Sequence, residues 1–370
     1  MRYYIYINKV RARLLLLLIG VLLAACSEDS DRDDGETDVV QLVAYSQGMT
    51  DLEPVAATRG IPAGYHEYTG PCSIGVYSTS ADVAPSSVRT FSYDADQHQW
   101  KSLVSTKLGV DYYIYGYMPA SSVIHCAISK REGTDMDFSK GAVLTFSDLP
   151  PVLSEDFCVV TGVQQLATKE TEVNLTPGVF KFEGKPTGSN FACLMLDHLY
   201  SCVKFRFLVN TDYDKLRTIK LKKVELKTTH PGSYPLTVTM IAVANANYEV
   251  AWGDATGLTN DYVSLPVSEG GEILSATTVK EVEGYFAPMT DVADNLVLQC
   301  TYDVYDKNVT TEHPEGNLIR QNCEAVNKLP ASIIEAGVNK RTLLTLTVNP
   351  TYLYVLSDPD LDNPTITIGN

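Results

Sequence analysis

The sequence predicts an all-β protein built from sandwiches, and three observations support this fold class. Short runs of alternating apolar and polar residues recur along the chain, separated by turns rich in Pro and Gly. Tyrosine occurs 22 times, against 10 Phe and 2 Trp, and aromatic residues favour strands. No long stretch carries apolar residues at helical spacing, and the only short helix candidates lie near residues 161–168 and 331–336.

Residues 1–25 predict a secretory signal of the lipoprotein type. Four basic residues precede an apolar stretch over residues 14–23, and the segment contains no acid. This stretch is too short to span a bilayer comfortably. The segment is followed by Cys26, and Leu23-Ala24-Ala25-Cys26 looks like a bacterial lipobox. We therefore expect Cys26 to become the acylated first residue of the mature protein, with plain secretion as the alternative.

An acidic segment, residues 26–38, follows the signal. Its residues 27–38 hold seven acids and one Arg, which predicts a solvated, extended tether. The segment also resembles the acidic export signal of surface-exposed lipoproteins of Bacteroidota. Removing the signal, with its four basic residues and no acid, takes the net charge from −16 to −20. Since nucleic-acid affinity depends on clustered Lys and Arg, we expect no nucleic-acid partner.

Seven cysteines remain beyond Cys26, an odd number that cannot pair fully within one chain. No Cys-x-x-Cys occurs and no Cys/His cluster has the spacing of a zinc site, so we expect no metal and no cofactor. Most of the cysteines stand in apolar, strand-like sequence such as Phe157-Cys158-Val159-Val160. We interpret them as buried free thiols, although the sequence leaves disulfides open.

Predicted strands of the first half begin with Val39–Tyr45. Asp111–Tyr117 is a tyrosine-rich strand that stops at Met118-Pro119. The turn-rich stretch 185–190 marks a domain boundary, because about three hundred residues is large for one sandwich. The sequence therefore predicts an N-terminal domain over residues 60–190 and a C-terminal domain over residues 191–370.

Strand patterns are clearer in the second half. Apolar residues over 202–209 alternate with Lys204 and Arg206, which predicts one buried and one solvated face. Over 218–227 the apolar phase shifts between Leu221 and Val224, which indicates a bulge. The chain ends with predicted strands at 352–356 and 365–368, joined by an Asp/Pro turn.

Motifs of the common enzyme classes are missing. No Gly-x-Ser-x-Gly, His-Glu-x-x-His, P-loop or Gly-x-Gly-x-x-Gly occurs, so we assign no catalytic residue and expect no enzyme activity. Carboxylates are abundant, which leaves a glycosidase pair open by counting alone. Asp358, Asp360 and Asp362 alternate as calcium ligands can, but an EF-hand needs Gly and Glu where this loop has Asn363 and Gly369. We interpret the loop as a polar turn.

Five features appear in a fixed order along the chain. They are the lipobox at Cys26, the sequence Ala57-Thr58-Arg59-Gly60, the aromatic strand Asp111–Pro119, the segment Leu196–Phe207, and the basic then alternating Leu/Thr strand Asn339–Val348. Together they resemble the fimbrillins, the subunits and accessory proteins of Bacteroidota type V pili. The tail departs from the family pattern because it lacks a Trp near the C-terminus. We interpret His198, within the fourth feature, as a core or sheet-edge histidine with its hydrogen bonds satisfied.

The resemblance implies two transthyretin-like β-sandwich domains in tandem. It also implies that an arginine-specific protease cuts between Arg59 and Gly60 and removes the first-strand segment, residues 39–59. Loss of a strand leaves unpaired backbone groups and an apolar groove. A strand from a neighbouring subunit would fill that groove, and head-to-tail filling builds a filament.

The implied exchange residues lie in the first strand and in a C-terminal donor stretch. They are Val39, Leu42, Val43, Tyr45, Tyr352, Tyr354, Ile366 and Ile368. The implied role is a structural or accessory subunit of a fimbrium that contributes to adhesion. Its expected location is the cell outer membrane, held by lipid on Cys26, with other pilus subunits and host or bacterial surface ligands as partners.

An alternative function is a surface glycan-binding lipoprotein outside any pilus. The four tyrosines of the aromatic strand would then form a sugar-stacking patch: Tyr112, Tyr113, Tyr115 and Tyr117. The competing interpretation of these rings is ordinary packing in the core and on the sheet surface.

Overall fold

The computed structural model describes residues 37–47, 65–68, 72–78, 89–91, 93–94, 96, 99–131, 138–168, 171–186, 190–228, 232–257, 261–329, 341–350 and 359–368. Strands dominate these ranges, and the prediction of an all-β sandwich protein is confirmed. The helical elements within them are α1 (Thr211–Asp214), α2 (Thr290–Ala293) and a 3-10 turn at Phe138–Lys140. No helix in these ranges has the length and apolarity needed to cross a bilayer.

The described ranges contain strands β1 to β24. The first twelve are β1 (Thr37–Gln47), β2 (Tyr65–Glu67), β3 (Cys72–Ser78), β4 (Arg89–Phe91), β5 (Tyr93–Asp94), β6 (Gln99–Lys107), β7 (Asp111–Met118), β8 (Cys126–Lys130), β9 (Gly141–Leu149), β10 (Val152–Leu153), β11 (Cys158–Leu166) and β12 (Lys181–Glu183). The others are β13 (Phe191–His198), β14 (Ser201–Val209), β15 (Thr218–Thr228), β16 (Tyr234–Ile241), β17 (Glu249–Trp252), β18 (Asp261–Leu265), β19 (Glu272–Leu274), β20 (Lys280–Phe286), β21 (Leu296–Tyr305), β22 (Leu318–Lys328), β23 (Arg341–Pro350) and β24 (Pro359–Ile368).

These strands form four sheets. The first sheet has the order β4-β3-β7-β11-β13-β1-β6-β5, with β12 beside β7 and β2 beside β1. The second has the order β10-β20-β14-β23-β24, and the third has the order β18-β15-β21-β22 with β19 beside β15. The fourth, β17-β16-β9-β8, joins strands from both halves of the chain. Two pairs are parallel, β1 with β13 and β14 with β23.

The sheets pack face to face to form the core. Gly284 of β20 lies so close to the third sheet that a Cβ there would stand 2.9 Å from Leu226 of β15 and 3.0 Å from Leu265 of β18. The second and third sheets therefore share one apolar layer. Tyr117 of β7 and Phe146 of β9 have ring centroids 5.2 Å apart, which joins the first sheet to the fourth.

The alternation predicted for β14 is confirmed. Phe205 and Phe207 are fully buried. Lys204, which precedes Phe205, and Arg206, which lies between the two Phe residues, are half-buried. Lys204 extends toward the neighbouring strand β20, where its Nζ lies 3.0 Å from a carboxylate oxygen of Glu281. One face of the strand thus supplies the core and the other carries charge pairs.

The bulge predicted in β15 is also confirmed, since the pairing with β21 shifts register between Leu221 and Lys223. The helix candidate near 161–168 is wrong, because residues up to Leu166 belong to β11. There Gly162 and Val163 pair with β13, and hydrogen bonding between strands decides the local structure. The second helix candidate, residues 331–336, lies outside the described residues.

All seven cysteines in the described ranges are free thiols, as predicted. Five of them are buried and two are half-buried. They fill space between strands as small apolar side chains.

The predicted division into domains 60–190 and 191–370 stays a prediction. β13 begins at Phe191 and pairs with β1 and β11 in the first sheet. In the fourth sheet, β9 of the first half pairs with β16 of the second half. Backbone hydrogen bonds therefore cross the predicted boundary in two sheets. The signal over residues 1–25 lies outside the described residues, and only residues 37 and 38 of the tether are described.

Candidate functional site around the first strand

The first strand lies inside the first sheet rather than at its edge. β1 runs parallel to β13, with Gln41 opposite Phe191 and Ser46 opposite Leu196. On its other side it runs antiparallel to β6, where Leu42 stands opposite Trp100. The short strand β2 also pairs with the end of β1. Both edges of β1 are therefore used in hydrogen bonding.

Side chains of β1 alternate between the core and the opposite face of the sheet. Val40, Leu42 and Ala44 are fully buried, whereas Val43 and Tyr45 are half-buried. Burying a Val or Leu side chain stabilises a fold by roughly 1.5–3 kcal/mol. Of the predicted exchange residues, Leu42 thus contributes to the core, and Val43 and Tyr45 lie on the other face.

Val39 is described in its backbone alone, where it pairs with Ser105 of β6. The pairing of β1 with β6 shifts register between Val39 and Gln41, so a bulge lies at the start of the strand. Beyond the bulge, the backbone N–H of Gln41 donates a 2.8 Å hydrogen bond to the carbonyl of Asn190. The irregular entry therefore still has its backbone groups partnered.

The two strands beside β1, which are β13 and β6, also make contacts that do not involve β1. On one side, β13 is paired with β11 along its whole length. On the other side, the N–H of Lys107 at the end of β6 donates a 2.8 Å hydrogen bond to the Tyr112 hydroxyl. Just beyond it, the N–H of Gly109 donates to the carbonyl of Gly184, at 2.9 Å. A Cβ at Gly184 would stand 2.0 Å from the Lys107 carbonyl oxygen, so only glycine allows this close approach.

The predicted modification sites lie outside the described residues. Arg59 and Gly60 belong to the segment 48–64, which joins β1 to β2 along the chain. A cut between them would separate β1 from β2 covalently while both stay hydrogen-bonded within one sheet. Cys26 precedes β1 along the chain. Cleavage and lipidation therefore stay predictions.

The C-terminal exchange residues are divided between described and undescribed parts of the chain. Ile366 and Ile368 belong to β24, where they stand opposite Leu346 and Leu344 of β23. Within the described ranges β24 is the outermost strand of the second sheet, with β23 as its one ladder partner. Tyr352 and Tyr354 lie outside the described residues.

The polar turn predicted around Asp360 and Asp362 is wrong. Both residues lie within β24, which begins at Pro359 rather than at Thr365. The ladder with β23 pairs Asp360 with Asn349 and Thr365 with Thr347, so residues 361–364 lie in a register shift within the strand. Pro364, which lacks an N–H, lies in this register shift on an edge strand, and proline is accepted at both kinds of position. Asp358, the first of the three aspartates, lies outside the described residues.

The four tyrosines of the aromatic strand form no exposed platform. Tyr112, Tyr115 and Tyr117 are buried, and Tyr113 is half-buried. Tyr115 packs against Phe180 with ring centroids 4.6 Å apart. The core-packing interpretation is therefore the one the structure supports for the three buried rings.

A polar cluster of Asp156, Cys158 and His198 lies at the end of β13, with Cys158 and His198 buried and Asp156 half-buried. Cys158 and His198 are direct cross-strand partners on β11 and β13, and Asp156 precedes Cys158 by two residues. The Asp156 carboxylate lies 2.6 Å from Nδ1 of His198, and Sγ of Cys158 lies 3.4 Å from the same nitrogen. We call these three residues the Asp–Cys–His cluster.

The electrostatics of the cluster follow from its burial. Desolvation, followed by the nearby charge of Asp156, raises the pKa of the Cys158 thiol well above its usual value. Burial also raises the pKa of Asp197, the residue that precedes His198. Burial therefore shifts the protonation equilibrium of both groups toward the neutral form.

Geometry separates the cluster from a nucleophilic Cys-His-Asp triad. A triad uses one imidazole nitrogen for the nucleophile and the other for the carboxylate. Here both Asp156 and Cys158 contact Nδ1 of His198. The raised pKa of Cys158 opposes a reactive thiolate as well. The cluster is thus not arranged for proton transfer through His198.

Sequence reasoning did not assemble this cluster. The Asp-x-Cys spacing carries a signal, because residues two apart in an extended chain point to the same face. The partner His198 is forty positions further along, and only the register between β11 and β13 places it opposite Cys158.

Comparisons with known proteins find structural likeness only. No protein family and no curated protein sequence matches the chain. Solved structures of fimbrial proteins and candidate cell adhesion proteins do resemble it. A candidate cell adhesion protein from Bacteroides fragilis has 11% identity over 90% of this chain and 97% of its own, with a TM-score of 0.42.

Two fimbrial proteins are among the similar structures. A fimbrial protein from Bacteroides vulgatus has 11% identity over 90% of this chain and 98% of its own, with a TM-score of 0.36. The fimbrial anchor protein from Porphyromonas gingivalis has 11% identity over 90% of this chain and 97% of its own, with a TM-score of 0.29.

Proposed function

We propose that this chain is a fimbrial subunit or accessory lipoprotein that assembles with other pilus subunits by strand exchange at the position of β1. The placement of β1 carries the proposal. It is the first described strand of the chain, yet it lies within a sheet with a neighbour on each side. One cut in the segment 48–64 would detach it, and the predicted protease site at Arg59 and Gly60 lies in that segment.

The vacated position would be a strong acceptor for another strand. Without β1, backbone groups of β13 and β6 would lose their partners, and buried backbone groups need partners. Ala192, Leu194 and Leu196 of β13 stand opposite residues 42, 44 and 46 of β1 and are fully buried. An incoming strand with alternating apolar residues would restore both the ladder and the core.

The C-terminal stretch is the proposed donor. β24 has one ladder partner within the described ranges, so it has fewer contacts to give up than β1 has. Donation from one subunit to the next is head-to-tail, and such contacts extend into a filament unless they close on themselves.

Cleavage would also decide between two roles. Cys26 precedes β1, so a cut at Arg59 removes the proposed lipid together with the first strand. A cut subunit would leave the membrane and polymerise through its open groove. An uncut subunit would keep both its lipid anchor in the outer membrane and its filled groove, as an anchor component requires.

N-terminal sequencing of the protein released from the cell surface tests the proposal. We expect chains that begin at Gly60 and that migrate as high-mass polymers. Arg59→Ala should yield uncut, lipidated monomers, because the protease then lacks its arginine. Arg320→Ala, at an exposed arginine of β22, is the matched control and should be cut and polymerise normally.

The opposite result is equally clear. Surface protein that begins at lipidated Cys26 and stays monomeric would contradict the polymerising role. Polymers that persist in Arg59→Ala would contradict cleavage-dependent strand exchange.

A further inference from the structure

The Asp–Cys–His cluster brings three metal-ligand types onto one face of the first sheet. Cys158 and His198 are opposite each other on β11 and β13, and side chains of direct cross-strand partners project on the same side. Asp156 lies just ahead of β11, and its carboxylate reaches the same side, 2.6 Å from Nδ1 of His198. The backbone register, rather than spacing along the chain, assembles the three.

The three donor atoms converge on a common point. The carboxylate oxygen of Asp156, Sγ of Cys158 and Nδ1 of His198 all lie within 4.8 Å of one another. Ligands of one tetrahedral zinc ion, at bond lengths of about 2.0–2.3 Å, stand roughly 3.3–3.8 Å apart. The 3.4 Å from Sγ to Nδ1 already has this value.

The 2.6 Å contact between Asp156 and His198 would have to lengthen by about 1 Å to admit an ion with bonds of that length. Asp156 precedes β11, and its side chain is 16% exposed, so it is the member of the cluster with freedom to move. The other two side chains are fixed by their strands and are buried.

Hydrogen bonding within the cluster is incomplete without an ion. Nδ1 of His198 can donate one proton to Asp156, and the Cys158 thiol can donate to the same carboxylate. The second carboxylate oxygen of Asp156, Oδ1, is buried and has no hydrogen-bond partner. A buried oxygen without a partner is costly, and each such atom in a folded protein calls for an explanation.

We propose that Asp156, Cys158 and His198 bind one divalent ion of the zinc type. The mixed set of one sulfur, one nitrogen and one oxygen suits a borderline transition metal rather than calcium or magnesium, which prefer oxygen ligands. A thiolate and a carboxylate together balance the charge of the ion, so the loaded cluster is neutral, as a buried site requires. Binding releases the Cys158 thiol proton and any proton on Nδ1 to solvent, and water takes the fourth position.

The ion would hold together β11 and β13, the strand that pairs with β1. His198 ends β13, two residues beyond Leu196, which pairs with Ser46 of β1. An ion held by Asp156, Cys158 and His198 would clamp β13 to β11 at this point. The β11–β13 pair would then keep its geometry whether or not β1 is paired with β13. The proposed ion site does not depend on the proposed function.

Titration of the full chain in detergent with zinc chloride tests the proposal, after treatment with a chelator. We expect one zinc per chain by calorimetry and elemental analysis, and a rise in the unfolding midpoint on binding. Cobalt chloride should give a thiolate-to-cobalt charge-transfer band. Both the band and the binding should be lost in Cys158→Ser, and zinc affinity should fall at least tenfold in Asp156→Asn.

Cys300→Ala is the matched control, because Cys300 is equally buried and belongs to no metal-ligand group in the described ranges. It should keep full binding. Calcium chloride should not displace zinc, which separates the cluster from the acidic tether. If Cys158→Ser fails to fold, Asp156→Asn and the cobalt spectrum of the unaltered chain decide the matter. Absence of stoichiometric zinc binding, or binding that survives Cys158→Ser, would overturn the proposal.

Discussion

β1 and β24 are the first and last described strands, and the chain uses them in opposite ways. β1 has neighbours on both edges and buries Val40, Leu42 and Ala44. β24 has one ladder partner in the described part of the chain and begins at a proline. Removing a strand from inside a sheet opens two ladders and the core, whereas removing an edge strand opens one ladder. Loss of β1 should therefore destabilise the chain more than loss of β24.

The largest expected effect is the loss of the Leu42 side chain from β1. Leu42→Ala should destabilise the intact chain by about 2–5 kcal/mol, since it deletes fully buried methyl groups and leaves a cavity. Chemical unfolding measures this. Gln41→Ala, at the adjacent half-buried position, serves as the control and should cost less than about 1 kcal/mol. Equal losses for the two variants would show that β1 is not held by its buried face.

A smaller effect is expected at the other end of the chain. Deleting residues 359–370 removes β24 and opens a single ladder. Each hydrogen bond contributes only about 0.5–1.5 kcal/mol net, and chain entropy of about 1–2 kcal/mol per residue no longer has to be lost. The truncated chain should therefore stay folded and lose less stability than Leu42→Ala does. A chain that unfolds on this truncation would contradict the expectation that removing β24 costs little stability.

The smallest expected effect is a pH dependence specific to β1. Burial, followed by the charges of Cys193 and Glu67, raises the pKa of Tyr45 from 10.0 to about 12. The folded chain holds the phenol proton of Tyr45 more tightly than the unfolded chain does. The contribution of Tyr45 to the free energy of unfolding is therefore fully present below pH 10 and is lost as the pH rises through about 12. Tyr45→Phe should make the stability curve shallower in that window. An unchanged slope would mean that Tyr45 does not titrate with the release of β1.

Local patterns predicted the elements whose environment repeats along the strand. The alternation in β14 was predictable because each second residue faces the same core, as Phe205 and Phe207 do. The bulge in β15 was predictable because an extra residue between Leu221 and Val224 shifts the apolar phase. Both features are properties of one strand and need no knowledge of its neighbours.

The start of β24 and the Asp–Cys–His cluster could not be found in this way. Asp360 favours a turn locally, and its pairing with Asn349 of β23 makes it part of a strand. Cys158 and His198 meet because β11 and β13 pair in one register, and a shift by one residue would point the two side chains to opposite faces.

The sequence by itself determined that the chain is all-β, that most of its cysteines stand in apolar, strand-like surroundings, and which face of β14 is buried. Those properties follow from composition and from a period of two residues, which act over a few neighbours. Only the tertiary structure decided that β1 lies between β13 and β6, that β24 lies at an edge, and that three ligand types share one site. The reason is that strand order and register depend on hydrogen bonds between residues far apart in the chain, and no local pattern encodes which strand a given ladder will meet.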